Sequence, residues 1–208
     1  MTGADDPLGA LARALTIGHK PTAWLISHGS SLGGLWTRCR DARTLLAVAA
    51  RAASPPVLVR ATCACARAAL ESASATEAME HALRTAEAWT GEQATLASLE
   101  AACRPLESMV TDGSSDLAAC VFHAAAAAFD PLAAPDAADA AARVLSRDAG
   151  TIASPAGARA PTRTSMAEAL AALASIVRTH IACPSLDALL AGAGRRGSRA
   201  SAPAAKRR

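Results

Sequence analysis

The chain predicts an all-α protein, and three observations carry that prediction. Its 208 residues include 58 Ala and 22 Leu, against 7 Val, 5 Ile, 2 Phe and no Tyr. Helices favour Ala and Leu, whereas strands favour β-branched and aromatic residues. Apolar residues recur at three- and four-residue spacing, as in Met79, Ala82, Leu83, Ala86 and Trp89. Capping residues and prolines cut the sequence into about nine short helical segments, an arrangement that suits a compact array of antiparallel helix pairs.

The segments follow in order from their start and stop signals. Asp5, Asp6 and Pro7 open the first, which ends near Gly18. Thr22 to Ser27 and Ser31 to Arg38 are short helices around a Gly-rich bend. Asp41 to Ala53 places Leu45, Leu46, Ala49 and Ala52 on one face. Pro55 and Pro56 stop it and start the next helix, which runs to Ser72, because a first turn tolerates proline. Ser74 to Glu77 has the spacing of a capping box and opens a helix whose polar face carries Glu77, Glu80, His81 and Arg84. Thr95 begins a helix with Leu96, Leu99, Cys103, Leu106 and Val110 at helical spacing, kinked by Pro105. Asp116 to Phe129 is unusually apolar and therefore central, and Asp136 to Arg147 follows it. Ser165 to Glu168 is a second capping box, and its helix turns Met166, Leu170, Leu173, Val177 and Ile181 inward. A short turn starts at Ser185. Residues 1–191 read as a single domain with an exposed Ala/Pro/Gly/Thr loop over 150–164, and 192–208 as a disordered tail.

Charge divides the chain unevenly. The tail from Gly192 carries six bases and no acid, so the other 191 residues hold 15 bases against 18 acids, a net of −3. A mildly acidic body with a basic end is not a basic protein. The tail also lacks interleaved aromatics, which argues against a nucleic-acid partner. No positively charged segment precedes the first apolar run, and the longest such run, Leu117 to Phe129, falls short of the roughly 20 residues of a membrane span. Six scattered cysteines in a chain of this length give no disulfide framework. The expectation is a cytoplasmic protein with reduced thiols, outside the membrane.

Catalytic and metal motifs fare poorly. Gly29 to Gly33 satisfies G-x-S-x-G with His28 before it, but that elbow needs a strand-to-helix turn above a parallel sheet, and no strand sequence surrounds it. A helix-entry turn capped by Ser31 accounts for the same residues. Cys63 and Cys65 lie about 200° apart around a helix and cannot grip one ion without unwinding it. His180 and Cys183 lack nearby partners in sequence. The thiols read as small buried hydrophobes, and His123 as a hydrogen-bonded core residue. No catalytic residue, cofactor or metal is expected, so function is a matter of binding.

The segments that carry a resemblance run from Ala23-Trp24 through Leu35-Trp36-Thr37-Arg38-Cys39 to Leu45–Arg51. They continue with Val59-Arg60-Ala61-Thr62-Cys63-Ala64-Cys65-Ala66-Arg67 and Glu87-Ala88-Trp89-Thr90-Gly91-Glu92, and end with Ile176 to Ile181. In this order they resemble the all-α, Ala-rich immunity proteins found beside bacterial polymorphic toxins. The resemblance covers Ala23 to Leu99 and Met166 to Pro184. Asp41-Ala42-Arg43-Thr44 departs from it where relatives tend to carry an Asp-Trp pair, as does Ile181-Ala182-Cys183-Pro184 in place of an Ile-Pro-Trp ending. It implies an all-α cytoplasmic protein that binds and neutralises a cognate toxin without catalysis, and it supplies no contact residues. From the residues themselves, the partner-facing edge is Arg60, Arg67, Glu87, Trp89 and Glu92, although Trp89 shares the core stripe and Arg67 has Glu71 at i+4. A helical adaptor or regulatory scaffold without a toxin partner is the alternative.

Overall fold

Alanine sets the architecture, because side chains this small let helix axes approach closely. The computed structural model describes residues 32–147, 164–185 and 187–189, and these form an all-helical array. The expected helices before Leu32, most of the G-x-S-x-G turn, the loop up to 163 and the basic tail lie outside the described residues. In chain order the helices are α1 (Leu32–Arg38), α2 (Ala42–Ala52), α3 (Pro55–Ser72), α4 (Glu77–Thr90), α5 (Leu96–Cys103), α6 (Glu107–Thr111), α7 (Asp116–Ala126), α8 (Ala134–Arg147) and α9 (Met166–His180). Short 3₁₀ turns over Arg104–Leu106 and Pro131–Ala133 join α5 to α6 and lead into α8.

Two helices form the spine. α8 packs against α2, α3, α7 and α9, and α3 against α4, α7, α8 and α9. In α8, Ala137, Ala138, Ala140, Ala141 and Ala142 are all fully buried. The centrality expected of the Leu117–Phe129 run is therefore shared: α7 is buried, but the more alternating α8 is the hub. α3 is enclosed on opposite sides, which is why Cys63 and Cys65 are both buried despite pointing apart. Nearly all the buried apolar side chains join one core, to which α6 adds only the partly buried Met109.

The termini follow local chemistry, with some corrections. Asp41 caps α2 and Ser165 forms the expected box with Glu168. The box expected at Ser74 does not form. Thr76 is the cap instead, accepting from the Met79 N–H at 3.4 Å. This later start places Glu77 and Glu80 in the first turn, where the helix dipole favours carboxylates. Pro105 does more than kink its helix: without an N–H it ends α5 at Cys103, and a 3₁₀ turn intervenes before α6. Leu96 is left exposed, while Leu99, Cys103 and Leu106 are buried. The turn at Ser185 forms, with the Leu189 N–H reaching the Ser185 carbonyl.

Polar groups tie distant elements together. The buried Thr62 hydroxyl lies 2.9 Å from the Val59 carbonyl and 3.1 Å from that of Ala124. The Ala128 N–H bonds Ala125 instead of Ala124, so Thr62 serves a carbonyl left open at the end of α7. Arg178 of α9 donates to the carbonyls of Trp36 and Cys39, closing the end of α1. A chain of alternating charges runs Asp41–Arg43–Asp139–Arg143–Asp116–Arg147, linking α2, α8 and the start of α7.

His123 is half-buried with its ring edge-on to Phe122, and it has no hydrogen-bond partner among the described residues, contrary to the core bond expected of it. Burial holds its imidazole below the ordinary value of 6.5; Asp136 opposes this and Arg143 adds to it. The unfolded chain then binds this proton more readily than the folded one, so stability rises with pH. The contribution is complete above about pH 6.5 and is lost as pH falls through that value. Urea midpoints taken on either side of this range should fall on acidification, and His123→Gln should reduce the decline.

Candidate groove over α3

Three of the five edge residues come together. On α3, Arg60, Ala64, Arg67 and Glu71 follow i, i+4, i+7 and i+11 spacing, so they share one face. That face forms the floor of an open groove of about 460 Å³. Glu87 and Thr90 of α4 line one side, and Ile176, Thr179 and His180 of α9 the other.

Arg67 fixes the groove. Its Nε and Nη2 donate to the two oxygens of Glu87, each at 2.8 Å, and its Nη1 donates to Glu80 at 2.8 Å. This two-pronged grip matches the planar guanidinium to a carboxylate and leaves a third donor to hold Glu80, about two turns earlier in α4. The Glu87 bond, ahead of the Glu80 bond, raises the guanidinium further above its ordinary value. Arg67 and its partners are about a third exposed, so the clamp stabilises by only about 1 kcal/mol. Its chief effect is positional, since it locks α4 to α3 at the middle of the groove. The Arg67–Glu71 and Glu80–Arg84 pairs suggested by helical spacing are displaced by it. Across helices Arg67 gains two carboxylates at once, and Glu80 turns to it instead of to Arg84.

The other polar residues of the groove divide into committed hydroxyls and exposed rim groups. The Thr90 hydroxyl donates to the Glu87 carbonyl and that of Thr179 to the Ile176 carbonyl. Arg60, Glu71 and His180 are exposed and have no ion-pair or hydrogen-bond partner among the described residues. In the floor, burial and then the Glu87 charge push the Cys63 thiol far up, leaving it protonated and a poor nucleophile at neutral pH. Burial likewise raises Cys65 to about 12 and Cys103 to about 11.

Trp89 and Glu92 lie elsewhere. Trp89 is half-buried against the core and does not line the groove. Glu92 sits in the turn after α4, beside Arg84, Gln93, Thr95 and Ser98, on a separate open surface. There the Glu92 N–H reaches the Trp89 carbonyl and the Gln93 N–H the Ala88 carbonyl, the paired bonds of a Schellman end. The left-handed position of that motif falls on Glu92, at φ 61°, while Gly91 keeps φ −103°. A left-handed non-glycine residue costs about 1–2 kcal/mol, and a new glycine returns about 0.4–1 of that through the unfolded chain. Glu92→Gly should therefore stabilise the protein by up to about 1 kcal/mol, measured as a higher urea midpoint.

Glu71, Thr179 and His180 were not among the expected edge residues. The 60/64/67/71 spacing was the available signal for Glu71, whereas the α9 residues arrive only through packing. Among the described residues no group of three or more His, Cys, Asp or Glu side chains could hold a metal ion, and no helix is long and apolar enough to cross a membrane. No family model, curated protein or solved structure matches this chain.

Proposed function

We propose that this chain is a non-enzymatic immunity protein, which binds a cognate bacterial toxin in the cytoplasm and occludes its active surface. The supporting observation is the groove over α3. Arg67 holds its frame fixed, while Arg60, Glu71 and His180 are exposed and without a partner among the described residues. A fixed backbone with uncommitted rim charges suits recognition, because little freedom is lost on docking and mismatched partners are repelled.

The role is tested by co-expressing the chain with the product of the neighbouring open reading frame. Restored growth together with co-purification is the expected result. Co-purification from a product that is not toxic would instead favour a helical adaptor, and toxicity unrelieved by the chain would end the immunity reading. Reversal of Glu87 to Lys is a poor probe of contact here, because it sets a second cation against Arg67 and disturbs the frame itself. Arg60 and Glu71, exposed and without a partner among the described residues, are the cleaner positions.

A further inference from the structure

The groove has a polarity that specifies what can lie in it. Arg60 and Glu71 stand on the same line of α3 eleven residues apart, or about 16 Å at 1.5 Å per residue. One end therefore offers a cation and the other a carboxylate, each without a partner among the described residues. Between them, Arg67 is consumed by Glu80 and Glu87, and both threonine hydroxyls are turned to their own helices. The middle of the floor is small and apolar, built from Cys63, Ala64 and Ala68.

The backbone around the groove narrows the occupant further. Floor and walls are helices, whose N–H and C=O groups are bonded internally except for the last carbonyls of α4 and α9, so an extended strand would find no ladder of alternating donors and acceptors to join. A helix satisfies its own backbone and needs only side-chain complementarity. A second copy of this chain fits poorly, although antiparallel α3 faces would match Arg60 with Glu71. The face is recessed between α4 and α9, and two recessed floors cannot touch.

We propose that this groove seats one α-helix of the partner protein, laid along α3 with an acidic side chain at Arg60, a basic one at Glu71 about three turns away, and small or apolar residues between. The inference rests on the binding role proposed above and adds the chemistry of the bound element.

The test uses the full chain and fluorescein-labelled, alanine-based helical peptides carrying one Glu and one Arg. The charges are eleven residues apart, on one face, or nine apart, on opposite faces. Anisotropy should show the eleven-spaced peptide binding about threefold tighter, since the second contact it gains is an exposed ion pair. Arg60→Glu should lose this preference and select an eleven-spaced Arg/Arg peptide over its nine-spaced isomer; Glu71→Arg should select the Glu/Glu counterpart. Both substituted residues are exposed, and an unchanged circular dichroism spectrum verifies the fold. Equal binding of the two spacings, absence of binding, or a dimer dissolved by Arg60→Glu overturns the proposal. Rescue by the chain of cells making the neighbouring toxin is scored separately. Rescue with failed peptide selection sinks the helix-in-groove inference alone, whereas failed rescue sinks the immunity reading.

Discussion

Ala141→Leu is expected to destabilise the protein by about 3 kcal/mol, the upper end of what overpacking a core costs. Leucine is nearly as good a helix former as alanine and more hydrophobic, so sequence rules alone would allow the change. Ala141, however, is fully buried in α8, which is hemmed in by α2, α3, α7 and α9. Three extra carbons there must push a neighbouring helix away, and one core draws buried side chains from every described helix except α6. At roughly 2–4 °C per kcal/mol for a chain of this size, the melting temperature should drop by about 6–12 °C. The same exchange at the exposed Ala172 of α9 should stay within about 0.5 kcal/mol. Equal melting temperatures for the two variants would contradict the close approach of α8 to its neighbours.

Arg178→Ala should cost about 2–3 kcal/mol through a different mechanism. The side chain reaches from α9 to the Trp36 and Cys39 carbonyls, the former at 2.7 Å from its Nε. Those oxygens belong to the end of α1, where carbonyls have no helical partner of their own. Removing a charged donor leaves them partly buried and unbonded, at about 1–3 kcal/mol for the group stranded. Hydrogen exchange should accelerate first around Leu35 to Cys39, before the rest of the core. Arg178→Lys should recover only part of the loss, since an ammonium cannot span two carbonyls as a planar guanidinium does. Uniform loosening of the whole molecule would show that α1 does not depend on this contact.

These two residues mark where reading the chain succeeded and where it stopped. Arg178 stands in the Ile176–Ile181 segment that was singled out, yet nothing local tells that its partners lie about 140 residues earlier. Arg67 was picked for the binding edge, and helical spacing offered it Glu71. The approach of α4 supplied Glu80 and Glu87 instead, because two carboxylates across an interface outcompete one along the helix. The charged chain from Asp41 to Arg147 went unseen for the same reason: Arg43 and Asp139 are 96 positions apart. At the end of α4 a glycine stands at the cap, Gly91, but the left-handed residue is the next one, Glu92.

Composition and period by themselves determined the helical class, the order of the described segments and the starts at Thr95 and Ser165, since these depend on interactions within a turn or two of the backbone. The six alanines of α8, all fully buried, show why tertiary structure had to decide the rest. A methyl side chain carries too little directional preference to say which helix will cover it. Which faces met, and therefore that Arg60 and Glu71 bound an open groove while Trp89 and Glu92 lie apart from it, followed only from close packing of the whole array.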